Sequence, residues 1–403
     1  MGVPGNANAL LLKSAAVSGG YQIQRSLRFN SGDSAYLNRT PGSASNRRTF
    51  TWAAWVKRSE LGTDQNLFYA ASSSTDTSHI RFDSDNTLHV FEYTTGFVWR
   101  LQTTQVFRDA SAWYHIVVAV DTTQATASNR VKIYVNGAQI TVFSTASYPS
   151  QNTDTEFNNT VGHAIGRNDQ NGSNYLGAYL ADIFWIDGQA LDPSSFTTTD
   201  LTTGQLIPKA YTGSYGTNGF KLSFSDNSTT AALGTDTSGN GNTWTVNNFS
   251  VTAGSGNDSL VDTPTSYGTN TGVGNEVRGN YCTLNPLANG SAVTLSNGNL
   301  DATVSSSGSQ RAWGTFGVST GKWYFEYIQT GGTYAQGIGI KSTLDSDNNN
   351  NYAYTGYTGN KVNASGSDTA YGATWGNNDV IGVAFDLDAA TITFYKNGVS
   401  QGT

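Results

Sequence analysis

The chain holds five glutamates, Glu60, Glu92, Glu156, Glu276 and Glu326, and no two are near each other in sequence. Retaining glycoside hydrolysis needs two carboxyl groups roughly 5 Å apart. Alternate residues of a strand share a face, so such a pair would read as an E-x-D-x-E run. No such run occurs, and no Asp stands two residues from Glu326. The four histidines, His79, His89, His115 and His163, are dispersed. His115 falls in an apolar strand, where a packed, hydrogen-bonded imidazole is expected rather than a base or a ligand. No G-x-S-x-G run sits between a strand and a helix, as a nucleophilic serine would require. No Cys/His cluster has metal-site spacing. A non-enzyme is expected.

Two oxygen-rich turns invite a cation. Asp345 and Asp347 begin a run that continues to Asn351, but its sixth position is Asn350 rather than Gly and its twelfth is Gly356 rather than Glu, so it is not an EF-hand. Asp236 with Asn240 and Asn242 forms the other. No cofactor is required by these residues. Calcium at Asp236, Asn240, Asp345 and Asp347 is weighed against solvated loops, which the unsettled ligand count favours.

Aromatic faces beside amide side chains suit a sugar, since rings stack on pyranose faces and Asn or Asp satisfies hydroxyls. Such groups usually sit on loops at one edge of a scaffold. Tyr352, Tyr354 and Tyr357 lie beside Asn348–Asn351, Trp375 precedes Asn377–Asn378, and Tyr93 and Trp99 flank Thr94–Gly96. The ligand-binding candidates are therefore Tyr93, Trp99, Asn348, Tyr352, Tyr354, Tyr357, Trp375 and Asn377. For Trp99 and Trp375 the competing reading is packing, the usual fate of a strand aromatic.

The elements that would hold these residues read as strands. WYHIVVAVDTT followed by VKIYVNGAQI (Trp113–Ile140) and VIGVAFDLDAATITFYKNGV (Val380–Val399) are two copies of one phrase. Each has an apolar strand, an Asp-led turn, a second strand and an Asn-Gly turn. Asn-Gly supplies the two positive-φ positions of a type I′ hairpin, so each copy predicts three antiparallel strands. TFTWAAWVK (Thr49–Lys57) puts Phe50, Trp52, Ala54 and Val56 on one face. The tetrad Asp83–Asn86 is a hairpin turn between His79–Phe82 and Thr87–Tyr93. Asp192 and Pro193 suit the start of a single helical turn. These patterns predict an all-β chain of two tandem antiparallel sandwiches. The expected boundaries are an arm over 1–24, a sandwich over 25–209, a structured Gly/Asn/Ser/Thr-rich connector over 210–280 and a second sandwich over 281–403. The chain stops five residues after Asn397–Gly398. A hairpin needs a returning strand, so the second sandwich is expected to be C-terminally incomplete.

Composition narrows the partners. Aromatics reach 12% while charged residues make up 13%, which suits β-structure and not disorder. The net charge is −7 and no Lys/Arg block exists, which argues against nucleic acid. No apolar stretch approaches the ~20 residues of a membrane span. The one cysteine, Cys282, can form no internal disulfide and is expected to be a buried thiol. Ala9–Leu12 is too short for a signal-peptide core. Synthesis in a host cytoplasm without a signal peptide, and residence in a virion, are expected; an extracellular site is the alternative.

SLRFNSGDSAYL (26–37), FTWAAWVKR (50–58), the first strand phrase and YLGAYLADIFWIDGQALDPSSF (175–196) make residues 25–209 resemble a laminin-G-like domain of the concanavalin A-like lectin/glucanase group. GKWYFEY (321–327), GIGI (337–340) and the second strand phrase make residues 281–403 resemble a SPRY domain. NALLLKSAAVSGGYQIQRSLRFN and NGNTWTVNNFSVTAGSGNDSLVDTPT resemble bacteriophage tail-fibre and other virion proteins. These resemblances imply non-covalent recognition of host surface glycans or proteins, contacts to other virion proteins, and several copies per particle, with a homo-oligomer of unspecified order. A purely structural virion decoration protein and a bacterial surface or secreted adhesin are the alternatives.

Overall fold

The computed structural model describes residues 20–266, 277–305, 310–332, 337–342 and 351–403. Among them the only helical pieces are short 3-10 turns, and no helix is long and apolar enough to cross a membrane. One of these turns is Pro193–Ser195, capped by Asp192, whose Oδ1 accepts the Ser194 amide at 2.8 Å.

The chain divides into two compact units. One takes Met1–Leu287, Val293–Val304 and Gly314–Phe316; the other takes Ala288–Ala292, Ser305–Trp313 and Gly317–Thr403. In the first unit the strands open with β1 (Ser26–Phe29), β2 (Tyr36–Arg39), β3 (Thr49–Arg58), β4 (Gln65–Ala71), β5 (Asp76–Phe82), β6 (Thr87–Thr94) and β7 (Phe97–Val106). They continue with β8 (Tyr114–Asp121), β9 (Val131–Val135), β10 (Ala138–Gln139), β11 (Phe143–Ser147), β12 (Gly162–Ile165) and β13 (Ala178–Asp187). The later ones are β14 (Thr197–Thr199), β15 (Leu206–Pro208), β16 (Phe220–Leu222), β17 (Thr245–Asn247), β18 (Ser259–Leu260), β19 (Val293–Ser296) and β20 (Asp301–Val304).

Two antiparallel sheets of eight strands face each other. Sheet A runs β10-β9-β8-β3-β13-β1-β18, with β16 also on β13; sheet B runs β11-β7-β6-β5-β4-β12-β2-β17. Phe50, Trp52, Ala54 and Val56 of β3 point into the space between them, as the alternation in TFTWAAWVK dictates. They meet Leu88 and Val90 of β6 and Trp99 and Leu101 of β7 in one core. Each Phe, Leu or Val among them contributes about 1.5–3 kcal/mol on burial.

The stretch over 210–280, expected as a connector, is woven into this sandwich. Its strands β16, β17 and β18 pair with β13, β2 and β1. Phe220, Leu233, Trp244 and Phe249 join the main core. The physical reason is visible in the sequence only as isolated aromatics among turn formers.

The same chain covers the outer face of sheet A. Trp55, Trp113, Tyr179 and Ala181 are buried under Tyr21, Ile23, Leu206 and Leu260. Ala53, Val117, Phe184 and Ile186 are buried under Phe196, Tyr211 and Tyr215. Burying that face also buries two cations, and each meets an acid from the cover. Lys57 Nζ lies 2.7 Å from Asp262 Oδ2, 2.9 Å from Asn280 Oδ1 and 2.6 Å from the Tyr281 carbonyl. Arg28 Nε lies 3.0 Å from Asp258 Oδ1. At Gly298, φ is +68°, and a side chain there would collide with Tyr179 Oη and Arg28 Cδ.

The second unit holds β21 (Lys322–Ile328), β22 (Gly337–Lys341), β23 (Asn351–Thr355), β24 (Asn360–Val362), β25 (Asp368–Ala370), β26 (Val380–Asp386), β27 (Thr391–Lys396) and β28 (Val399–Ser400). Its sheets run β21-β26-β27-β28 and β22-β23-β24-β25. Tyr354, Trp375, Ile381, Val383 and Phe394 form the core between them.

The repeated phrase builds the same device in each unit. Strands β8-β9-β10 and β26-β27-β28 are consecutive antiparallel meanders. Asn136 and Gly137 have φ of 49° and 83°, and Asn397 and Gly398 have 49° and 78°. Asn136 Oδ1 accepts the His115 amide and Asn397 Oδ1 accepts the Val380 amide, each at 2.8 Å. The turn between the second and third strands is thus tied to the start of the first strand of its meander.

Candidate ligand-binding face

The outer face of sheet B is chemically different. On β5, Ile80 and Phe82 point into the core, so His79 and Arg81 point out. On β6, Leu88 and Val90 point in, leaving His89, Phe91 and Tyr93 outside. On β7, Trp99 and Leu101 point in, leaving Arg100 and Gln102 outside. The hairpin register sets His79 opposite Phe91 and Arg81 opposite His89; the next pair sets Phe91 opposite Arg100.

These residues form a continuous ring-and-cation layer. His79 stacks on Phe91 with centroids 4.3 Å apart and planes 17° apart. Phe97 meets Phe91 edge-on at 5.2 Å and Tyr93 edge-on at 5.5 Å. The Arg81 guanidinium lies 5.0 Å from the Phe91 centroid, and that of Arg100 lies 4.4 Å from Phe97. Such cation–ring contacts are worth about 0.5–1 kcal/mol when exposed. Phe97 is 46% exposed, and Tyr93, Arg81, Arg100 and Gln102 are half-buried.

Several polar groups in the layer find partners sideways, although His89 Nε2 and Asn66 Nδ2 are buried without one among the described residues. His79 Nδ1 pairs with Asn66 Oδ1 at 2.9 Å and Nε2 with Thr77 Oγ1 at 3.1 Å. Burial, and then the Arg81 charge, pushes the His79 imidazole down to about 3, so the ring is neutral at ordinary pH. Asp83 takes Arg81 Nε at 2.5 Å and His89 Nδ1 at 2.8 Å. Burial works to raise the Asp83 carboxyl, but its hydrogen bond with His89 and the charge of Arg81 outweigh this and hold it below the usual carboxylate value. Arg81 also pairs with Asp64 at 3.2 Å. Arg100 makes no ion pair among the described residues.

The residues singled out from sequence scatter across the molecule. Tyr93 lies on this face. Trp99 does not: it is 1% exposed in the core, because β7 alternation turns it inward. Trp375 and Tyr354 are likewise core residues of the second unit, 6.0 Å apart, and cannot stack on a ligand without unpacking it. Tyr354 lies in β23 rather than a loop, and its hydroxyl is bonded to the Ala373 carbonyl. Tyr352, Tyr357 and Asn377 are exposed, but no hydrogen bond or ring contact among the described residues links them. Asn348, Asp345 and Asp347 lie outside the described residues.

Asp236 is the anchor of its turn. Its Oδ1 accepts the amides of Lys221 at 2.9 Å and Ser238 at 2.8 Å, and its Oδ2 accepts that of Asn242 at 2.8 Å. Asn240 spends its amide on the carbonyls of Gly216 and Gly219. Both are engaged in holding the turn against β16. Among the described residues no group of three or more His, Cys, Asp or Glu could hold a metal ion. Cys282, expected to be buried, is exposed. His115 is buried as expected, but among the described residues its ring nitrogens have no partner; it packs against Trp55 at 4.9 Å instead.

One pair of glutamates, distant in sequence, meets in space. The Glu156 amide donates to Glu92 Oε1 at 3.1 Å, and Ser78 Oγ donates to Glu92 Oε2. Burial, with the charge of Glu156 adding, pushes the Glu92 carboxyl up to about 8. Glu92 is buried, on the inward side of β6, and Glu156 is engaged by Arg47 at 3.1 Å. Glu92 belongs to the sandwich interior, and Glu156 is half-buried beside it.

Residues 30–195 match the concanavalin A-like lectin/glucanases superfamily and residues 304–403 match the SPRY domain. No curated protein matches the chain. Among solved structures it is similar to a native heptameric SAP-like pentraxin from Limulus polyphemus, at 16% identity and TM-score 0.31, over 42% of this chain and 79% of that one. It is similar to domain 4 of AbnA, a GH43 extracellular arabinanase from Geobacillus stearothermophilus in complex with arabinotriose, at 18% identity and TM-score 0.31, over 39% and 68% of the two chains. A Ruminococcus gnavus IT-sialidase CBM40 bound to α2,3 sialyllactose matches at 11% identity and TM-score 0.26, over 40% and 87%.

Proposed function

We propose that the first sandwich is a non-catalytic carbohydrate-binding module and that the outer face of β5–β7 is its binding surface. The observation that carries this is the Phe97 ring, 46% exposed among the described residues and held edge-on by Phe91 and Tyr93 beside Arg100 on the outer face of sheet B. An exposed aromatic ring can take the C–H face of a sugar, and the neighbouring polar groups its hydroxyls. The lectin-type family match over residues 30–195 supports the class of ligand. In the wider proposal the chain is part of a bacteriophage virion or tail fibre and attaches it to host surface glycans or proteins; the N-terminal and connector phrases quoted above support that setting. Several copies on one particle would raise a weak single-site affinity steeply.

The test is binding of the whole chain, and of Phe97→Ala, to an array of bacterial surface polysaccharides. Retention of at least one glycan by the wild type, and severalfold weaker retention by the variant, is expected. Failure of the wild type across the array would overturn the reading and favour a structural role toward other virion proteins. Release of reducing sugar from a bound glycan would overturn its non-catalytic part.

A further inference from the structure

We infer that the ligand of this face is an acidic saccharide, its carboxylate held by Arg100. The inference rests on the carbohydrate reading above and adds the charge of the sugar.

The two cations of the face are not equivalent. Arg81 is committed, bonded to Asp83 and paired with Asp64. Arg100 is not. Its guanidinium lies 4.4 Å from the Phe97 centroid, a stacking contact that fixes its position and leaves its N–H edge without an acid partner. The acids nearby are already engaged. Asp83 bonds Arg81 and His89, and Asp64 pairs with Arg81 and accepts the Ser84 amide at 2.8 Å. Among the described residues the face therefore carries one cation with unused donors, beside the exposed Phe97 ring and the half-buried Tyr93. A uronic or nonulosonic acid offers the matching pair on one pyranose ring: a C–H face for Phe97 and Tyr93, and a carboxylate for a bidentate guanidinium. The net charge of −7 does not decide against this. At physiological salt the screening length is about 8 Å, so a ligand at the face responds to Arg100 and its immediate neighbours.

Affinity electrophoresis of the whole chain tests the inference, with polygalacturonate and polysialic acid as the probes. Their carboxyl-reduced counterparts serve as matched neutral probes, and dextran sulfate serves as a probe for charge alone. Retardation is expected with at least one acidic polymer and not with its reduced form. Arg100→Gln, checked by its thermal melt, should lose roughly tenfold to a hundredfold in affinity, the worth of a charge-assisted hydrogen bond. Arg100→Lys should recover only part, since an ammonium cannot bind bidentately. Equal retardation by the acidic and reduced forms, or by dextran sulfate, overturns the inference, as does an unchanged Arg100→Gln. Binding of the reduced forms that is lost in Phe97→Ala would sink this inference alone and leave the carbohydrate reading standing. No retardation by any saccharide overturns both.

Discussion

The two outer faces of the first sandwich are built on similar strands and solve their polar groups in opposite ways. On sheet A the partners come from above: Asp262 descends onto Lys57 and Asp258 onto Arg28, with Trp113 Nε1 also donating to Asp262 at 3.0 Å. On sheet B the partners come from the side: His79 leans on Asn66 and Thr77, and Arg81 and His89 share Asp83. A covered face can carry Trp55, Val117 and Phe184 because water never reaches them. On sheet B the cover comes from the face's own side chains: His79, His89 and Phe91 are buried in the layer, and Phe97 is left exposed on it.

Removing a descending acid should hurt most. Asp262→Ala leaves Lys57 buried without its counter-charge and should cost about 3–5 kcal/mol in denaturant unfolding. The double change Lys57→Met with Asp262→Leu removes both charges and should recover most of that loss. A double variant as unstable as the single would break the contrast drawn between the faces.

Neighbouring aromatics sharpen it next. Trp99→Ala empties a core position and should cost about 3–5 kcal/mol. Phe97→Ala, two residues away, should stay within about 0.5 kcal/mol in stability while weakening glycan binding by about 1 kcal/mol. Calorimetric melts and binding titrations on the same samples would separate the two.

Glu92 supplies a pH test inside the sandwich. Its folded value of about 8 lies above its ordinary value of 4.5, so the protonated form is the one the fold favours. The stability it contributes is complete below about pH 4.5 and falls as pH rises through 8. Glu92→Gln should therefore be more stable than wild type by roughly 1–3 kcal/mol at pH 9, with the gap closing by pH 5. The buried imidazoles run the other way. His79 is pushed down to about 3, by burial and then Arg81, and His163 to about 4 by burial. Their stability is present above pH 6.5 and is lost as pH falls toward 3. Melting temperature should therefore drop below pH 6, and less so in His163→Asn. The smallest effect belongs to Tyr357, 80% exposed, where alanine should change stability by less than about 0.5 kcal/mol.

Period-two patterning made the frame readable. It put Phe50, Trp52, Ala54 and Val56 inward, and the two Asn-Gly phrases became the two meanders they imply. The same rule, applied to Thr87–Thr94 and Phe97–Val106, would have turned Trp99 inward and set His89, Phe91 and Tyr93 on one outer face. Alternation in NYAYT likewise places Tyr354 in a strand. What no alternation pattern carries is which donors fill a given carboxylate. Asp236 looks like a cation ligand until Lys221, Ser238 and Asn242 are seen donating to it. Glu92 looks solitary until Glu156 arrives from 64 residues away. The Gly- and Asn-rich stretch hides its role because its anchoring residues, Asp258 and Asp262, find their cations some 200 residues earlier.

That distance has a consequence for inheritance. A recombination event that swapped the leading sandwich for another at the composition break near residue 210 would separate Lys57 and Arg28 from Asp262 and Asp258. The recipient gene would receive a sheet with two stranded charges and an apolar flank open to water. The exchangeable block is accordingly the whole stretch from Ser26 to beyond Asp262, because each buried cation and its acid must travel together.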